Sequence, residues 1–117
     1  MPERIQRRRT LGWRMPDGAI YVGRPSKWGN QWRVVPVHDP RFPFGRAADI
    51  LHVDDDRSLG RVEASSAHHW AKAGFRRDMS DELAAAALVD LRGHDLVCWC
   101  PLDQPCHADV LLELANA

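Results

Sequence analysis

The chain has 117 residues, 44% of them apolar and five of them tryptophan, enough for one folded domain (1–117) with a modest core and no need of disulfide staples. Its 16 Lys and Arg balance 16 Asp and Glu, which excludes a bulk electrostatic case for binding a polyanion. No apolar run reaches the ~20 residues of a membrane span and no hydrophobic segment follows the basic start, so the expectation is a cytoplasmic protein without membrane contact.

Residues 1–17 read as a basic arm. Arg4, Arg7, Arg8, Arg9 and Arg14 crowd it and could meet phosphates of a nucleic acid. Ile5 to Thr10 suits an edge strand or an extended segment, and Pro16-Asp17-Gly18 marks a turn. Ala19–Gly23 is rich in β-branched and aromatic residues, as a strand is. The next stretch, Arg24 to Asn30, combines two cations, the Ser26 hydroxyl, the Trp28 indole and the Asn30 amide. Such a set makes a poor core and a plausible clamp for an anionic or planar ligand; a plain polar turn is the competing reading.

Trp32–Val37 reads as a second strand, which Pro36 confines to an edge or an end. Residues 38–60 hold Pro40, Pro43, Gly45 and the triplet Asp54-Asp55-Asp56 without a sustained period, and are expected to form an irregular excursion. A helix is predicted from about Arg61 to Phe75, weakened near its end by Gly74. Ser80 suits the N-cap of a second helix, with Leu83, Ala84, Ala87, Leu88 and Leu91 as its buried stripe and Gly93 as its stop. Leu96–Cys100 then reads as a buried strand ended by Pro101, with Trp99 facing the core. A last helix starts near Pro105, with Ala108, Leu111, Leu112 and Ala115 at helical spacing. Helix, strand, loop and helix in succession indicate an α/β domain, here a small three-layer one with a sheet of about four or five strands.

All three cysteines lie in this last stretch. Cys98 and Cys100 are two apart on a strand and should share a face, while Cys106 and His107 stand at a helix start, where orphan N–H groups favour a thiolate. Three readings stay open. Cys98, Cys100, Cys106 and His107 offer the Cys₃His set that zinc accepts, although C-x-C-x₅-C-H is not a usual zinc spacing. Cys106 or Cys100 could be a thiolate nucleophile with His107 or Asp109 as its partner. Cys98 could also be core, with His107 bonded to a neighbouring loop.

The residues R-I-Q-R-R-R-T-x-G-W-R-x-P near the start, Y-V-G-R-P-S-K-W-G-N at 21–30 and C-W-C-P-L-D-Q-P-C-H-A-D-V-L-L at 98–112 resemble domain-of-unknown-function family 4326, found in bacteria, notably actinobacteria, and their phages. The resemblance covers both ends of the chain and little of 38–78. It implies marked positions at Arg24, Pro25, Trp28, Gly29, Asn30, Cys98, Cys100, Pro101, Cys106 and His107. Gln31 departs from the proline usual after W-G-N. The final segment is more distantly similar to family 488, with Cys100 in place of an acidic residue and Ala108 in place of an arginine. That similarity implies a Rossmann-like architecture.

These readings combine into one expectation. A nucleotide- or nucleoside-like ligand would lie between the Arg24–Asn30 and Cys100–His107 loops, with Arg24 and Lys27 on its anionic group, Trp28 stacked on its ring, Asn30 on a polar edge, and Ser26 and Asp109 among the binding residues. Cys106, His107 and Cys100 would supply the chemistry of a hydrolase or transferase. The alternative is a zinc-stabilised module that contacts nucleic acid or protein through the basic arm.

Overall fold

The computed structural model describes all 117 residues and shows a mixed α/β chain with three helices and two sheets of three strands each. The expected single sheet of four or five strands is therefore divided. The first sheet joins β1 (Arg4–Gln6), β2 (Ile20–Tyr21) and β6 (Leu96–Cys98) in the order β1-β6-β2, all parallel. β6 is central and entirely buried, as its run Leu96-Val97-Cys98 requires. It stops at Cys98, two residues earlier than its apolar run suggests.

The second sheet is an antiparallel meander of β3 (Trp32–His38), β4 (Arg46–His52) and β5 (Ser58–Glu63). β3 is an edge strand, so Pro36 costs no ladder bond on its outer side. The segment 38–60, expected to be irregular, thus contains all of β4 and the start of β5. Its prolines and Gly45 (φ 68°) form the β3–β4 turn, and the aspartate triplet forms the β4–β5 turn.

α1 (Ala67–Asp78) begins six residues later than predicted because Arg61–Glu63 belong to β5. Gly74 does not end it. A Cβ there would come within 2.7 Å of the Trp32 ring, so the glycine lets helix and meander meet. α2 (Asp81–Asp90) starts where Ser80 accepts a bond from the Leu83 amide at 3.1 Å. Ala87 and Leu91 are buried beneath it, whereas Leu88, expected inside, is exposed. α3 (His107–Ala115) packs on α2 and β6. The larger core gathers Val22, Trp28, Leu96, Cys98, Leu111 and their neighbours around the parallel sheet; the smaller one gathers Trp32, Ile50 and the Ala67 and Ala71 of α1 over the meander.

Candidate metal and ligand site

Three segments leave the carboxyl edge of the parallel sheet: the arm after Gln6, the loop after Tyr21 and the loop after Cys98. That edge is where open parallel sheets gather ligand-binding groups. The last two segments line one cleft of about 380 Å³, with Arg24 and Asn30 on one side and Cys98, Cys100, Cys106 and His107 on the other. Its size falls in the range of small-molecule sites.

The sulfurs of Cys98, Cys100 and Cys106 lie within 4.8 Å of one another, and the Cys98 and Cys106 sulfurs are 3.2 Å apart. Cys98 and Cys106 are buried and Cys100 is half-buried. All three thiols are free. His107 adjoins the group without joining it, its Nδ1 being 3.4 Å from the Cys106 sulfur. Nε2 lies 2.8 Å from the carbonyl of Val22, which can only accept, so Nε2 carries a proton. Nδ1 therefore faces the Cys106 sulfur and is the nitrogen that gains or loses the ring's second proton.

The cluster shares its protons unevenly. Bonds from the Cys100 and Cys98 thiols, and then from His107, hold the Cys106 thiol well below the usual range. Cys98 is pushed up by its bonds to Cys100 and Cys106 and by burial. Burial works against a charged His107, but Cys100 and Cys106 outweigh it and raise the ring to about 9. The negative charge of the group thus resides on Cys106, at the N-cap of α3, where the helix dipole also favours it.

Arg4, which sequence reasoning placed only among the arm's phosphate contacts, turns inward. Its Nη2 donates to the carbonyls of Pro101, Leu102 and Gln104 at 3.3, 2.9 and 2.8 Å, and its Nε stands 3.6 Å from Asp109. The side chain is only 9% exposed, and its buried Nη1 has no hydrogen-bond partner. Burial opposes its charge, while Cys106 and Asp109 raise its pKa. One guanidinium thus holds the whole Pro101–Gln104 turn against β1. No sequence spacing links residue 4 to this turn; only the pairing of Arg4 with Leu96 does.

The other predicted residues divide. Trp28 is 5% exposed and belongs to the core, so it cannot stack a ligand ring. Ser26 closes its own turn by donating to the Gly23 carbonyl at 2.7 Å. Lys27 lies over the Trp28 ring and pairs with Asp90, outside the cleft lining. Asn30 lines the cleft, yet its amide nitrogen donates to Ala71 and its oxygen accepts from the Trp32 amide. Asp109 accepts from the Cys106 amide at 3.1 Å and pairs with Arg4 and Lys72, so it orders the helix start. Arg24 is exposed on the cleft and donates to the Asn30 carbonyl at 3.0 Å. Trp99, expected in the core, is 40% exposed, because β6 ends before the alternation could turn it inward.

No curated protein and no solved structure matches the chain. A family model described as Domain of unknown function (DUF4326) matches residues 5–117, and the chain therefore belongs to that family.

Proposed function

We propose that Cys98, Cys100 and Cys106 hold a zinc ion at the floor of the cleft, and that the cleft above it takes a nucleotide- or nucleoside-like ligand. The observation that carries this reading is the convergence of three sulfurs on the same cleft that Arg24 lines. Three thiolates bound at about 2.3 Å from zinc would sit roughly 3.8 Å apart, a separation the cluster reaches by small shifts. Burial of Cys98 and Cys106 suits ligands better than nucleophiles, which must be approached by a substrate. All three line the cleft, so a fourth coordination position directed there would leave the metal free to polarise a ligand or a water, the arrangement of zinc hydrolases. Arg24 would meet the ligand's anionic group, and Nδ1 of His107, 3.4 Å from the Cys106 sulfur, would carry the ring's exchangeable proton beside the metal. In this reading the parallel sheet with α2 and α3 is the Rossmann-like part of the fold, and the meander is an addition to it.

Elemental analysis of protein purified without a metal-affinity tag tests the metal. One zinc per chain is expected, lost in Cys106→Ser, with a melting temperature that falls under chelator. Thermal shift against a panel of nucleotides and nucleosides tests the cleft, and the shift should shrink in Arg24→Ala. A metal-free protein whose Cys106 reacts quickly with iodoacetamide at neutral pH points to the thiolate enzyme instead; a metal-free and inert one leaves the cysteines structural.

A further inference from the structure

The balanced overall charge hides a local excess. Arg33, Arg41, Arg57, Arg61, Arg76 and Arg77 each pair with a carboxylate, whereas Arg7, Arg8, Arg9 and Arg14 have no such partner and are exposed. The unpaired cations are interleaved with aromatic rings. The Arg7 guanidinium stands 4.9 Å from the Tyr21 ring and 5.1 Å from Trp99, and Arg9 stands 4.7 Å from Trp99. A hollow of about 480 Å³ runs along this strip, lined by the three consecutive arginines with Trp13, Met15, Tyr21 and Trp99. Tyr21 and Trp99 line the cysteine cleft as well, so the two depressions share a wall. The strip is also fastened to the site, since the Arg7 amide donates to the Cys98 carbonyl at 2.7 Å.

Guanidinium groups stacked on partly exposed rings match a chain that alternates phosphates with flat bases, since an arginine that leaves a ring for a phosphate uncovers a face for a base. A duplex would offer its phosphates but keep its base faces stacked away, and an acidic peptide would leave the indoles without a partner. We propose that residues 7–14, together with Tyr21 and Trp99, form a track for single-stranded nucleic acid that runs up to the cysteine cleft. The cleft's ligand would then be a nucleotide within or at the end of a strand. This inference rests on the nucleotide reading of the cleft and names its substrate class.

Fluorescence anisotropy of the full chain as purified with labelled single strands roughly 12 nucleotides long tests it. Binding should weaken with salt, with a slope on a double-logarithmic plot of about −0.7 per phosphate contacted. The double variant Arg8→Glu, Arg9→Glu should lose tenfold or more, because each change reverses an exposed charge that touches no carboxylate. Trp99→Ala should lose roughly fivefold or more through the missing stack. The double variant, whose residues lie outside the cysteine cleft, should keep the wild-type zinc content and response to mononucleotides. Equal affinity of wild type and both variants, or binding of duplex or polyglutamate as tight as that of single strands, overturns the track. Zinc and mononucleotide binding without oligonucleotide binding overturns the track alone. Arm-dependent strand binding by a protein that is metal-free and blind to mononucleotides upholds the track and removes the reading of the cleft.

Discussion

In the meander, β3 and β4 pair along seven residues each, whereas β1, β2 and β6 contribute only three, two and three residues to the parallel sheet. The long ladder supplies its own backbone bonds and a small apolar core over Ile50. The short one closes its edge with side chains: Arg4 on three carbonyls, His107 on Val22, and the sulfur cluster at the end of β6. Chemistry has collected where regular pairing is scarcest. A site needs groups that converge from different segments, and those groups can take over bonds that a longer ladder would otherwise make.

The largest effect that would sharpen this division is expected in the meander. Ile50 is fully buried on the central strand among Trp32, Ala48, Ala67 and Ala71. Ile50→Ala removes the main aliphatic side chain of that core, and its alanine neighbours have little to fill the gap with. A loss of about 3–4 kcal/mol is expected by urea unfolding, with zinc content unchanged in the folded fraction. A variant that stays stable but loses its metal would show that the two halves do not divide the work in this way.

Arg4→Met comes next and acts on the other half. It keeps the apolar stem against β1 but removes the donor to Pro101, Leu102 and Gln104 and the partner of Asp109. Water can reach two of those carbonyls, so the expected cost is about 2 kcal/mol, smaller than for Ile50→Ala. Zinc affinity should fall more steeply than stability, because the freed turn joins Cys100 to Cys106. Hydrogen exchange should quicken at residues 102–106 and remain unchanged in β3 and β4. Quickening throughout the chain would make Arg4 a general prop.

The same contrast governs what the sequence made legible. Ser80, Pro36 and the apolar run from Leu96 are local signals, each satisfied by its own neighbours; each appears where it was expected, the strand from Leu96 ending two residues short of Cys100. β4 was hidden because Ala47-Ala48-Asp49 has neither β-branching nor a clean alternation; β3 and β5 on either side make it a strand. Trp28 and Trp99 exchanged roles for related reasons. A tryptophan in a polar loop turned into the core, while one in an apolar run fell just past the end of the strand. The closeness of the three thiols follows from the strand-turn-helix pattern around them. The part played by Arg4 depends on a parallel pairing across more than 90 residues, which no local pattern encodes.

The smallest effect near neutrality belongs to Asp39, at the end of the meander's first strand. Its buried carboxylate accepts from the Arg41 side chain and amide, with 2.7 Å as its shortest contact, and from Arg61 at 3.1 Å. Arg41 foremost, then Arg61, holds it well below the usual carboxylate range. A folded-state pKa below the unfolded value of about 3.9 means that the contribution is complete above that value. It is lost as the pH falls from there through the folded-state value. Urea midpoints followed by hydrogen exchange of β3 and β4 amides should therefore decline between about pH 5 and pH 3 in the wild type. The decline should be shallower in Asp39→Asn, which begins from a somewhat lower midpoint at pH 7. Asp49, also held low by Arg61, leaves part of the acid limb in place, so the limb should flatten without vanishing. An unchanged slope in the variant would mean that these exposed arginines are screened by solvent. The meander would then owe its stability to its ladder and to Ile50 alone.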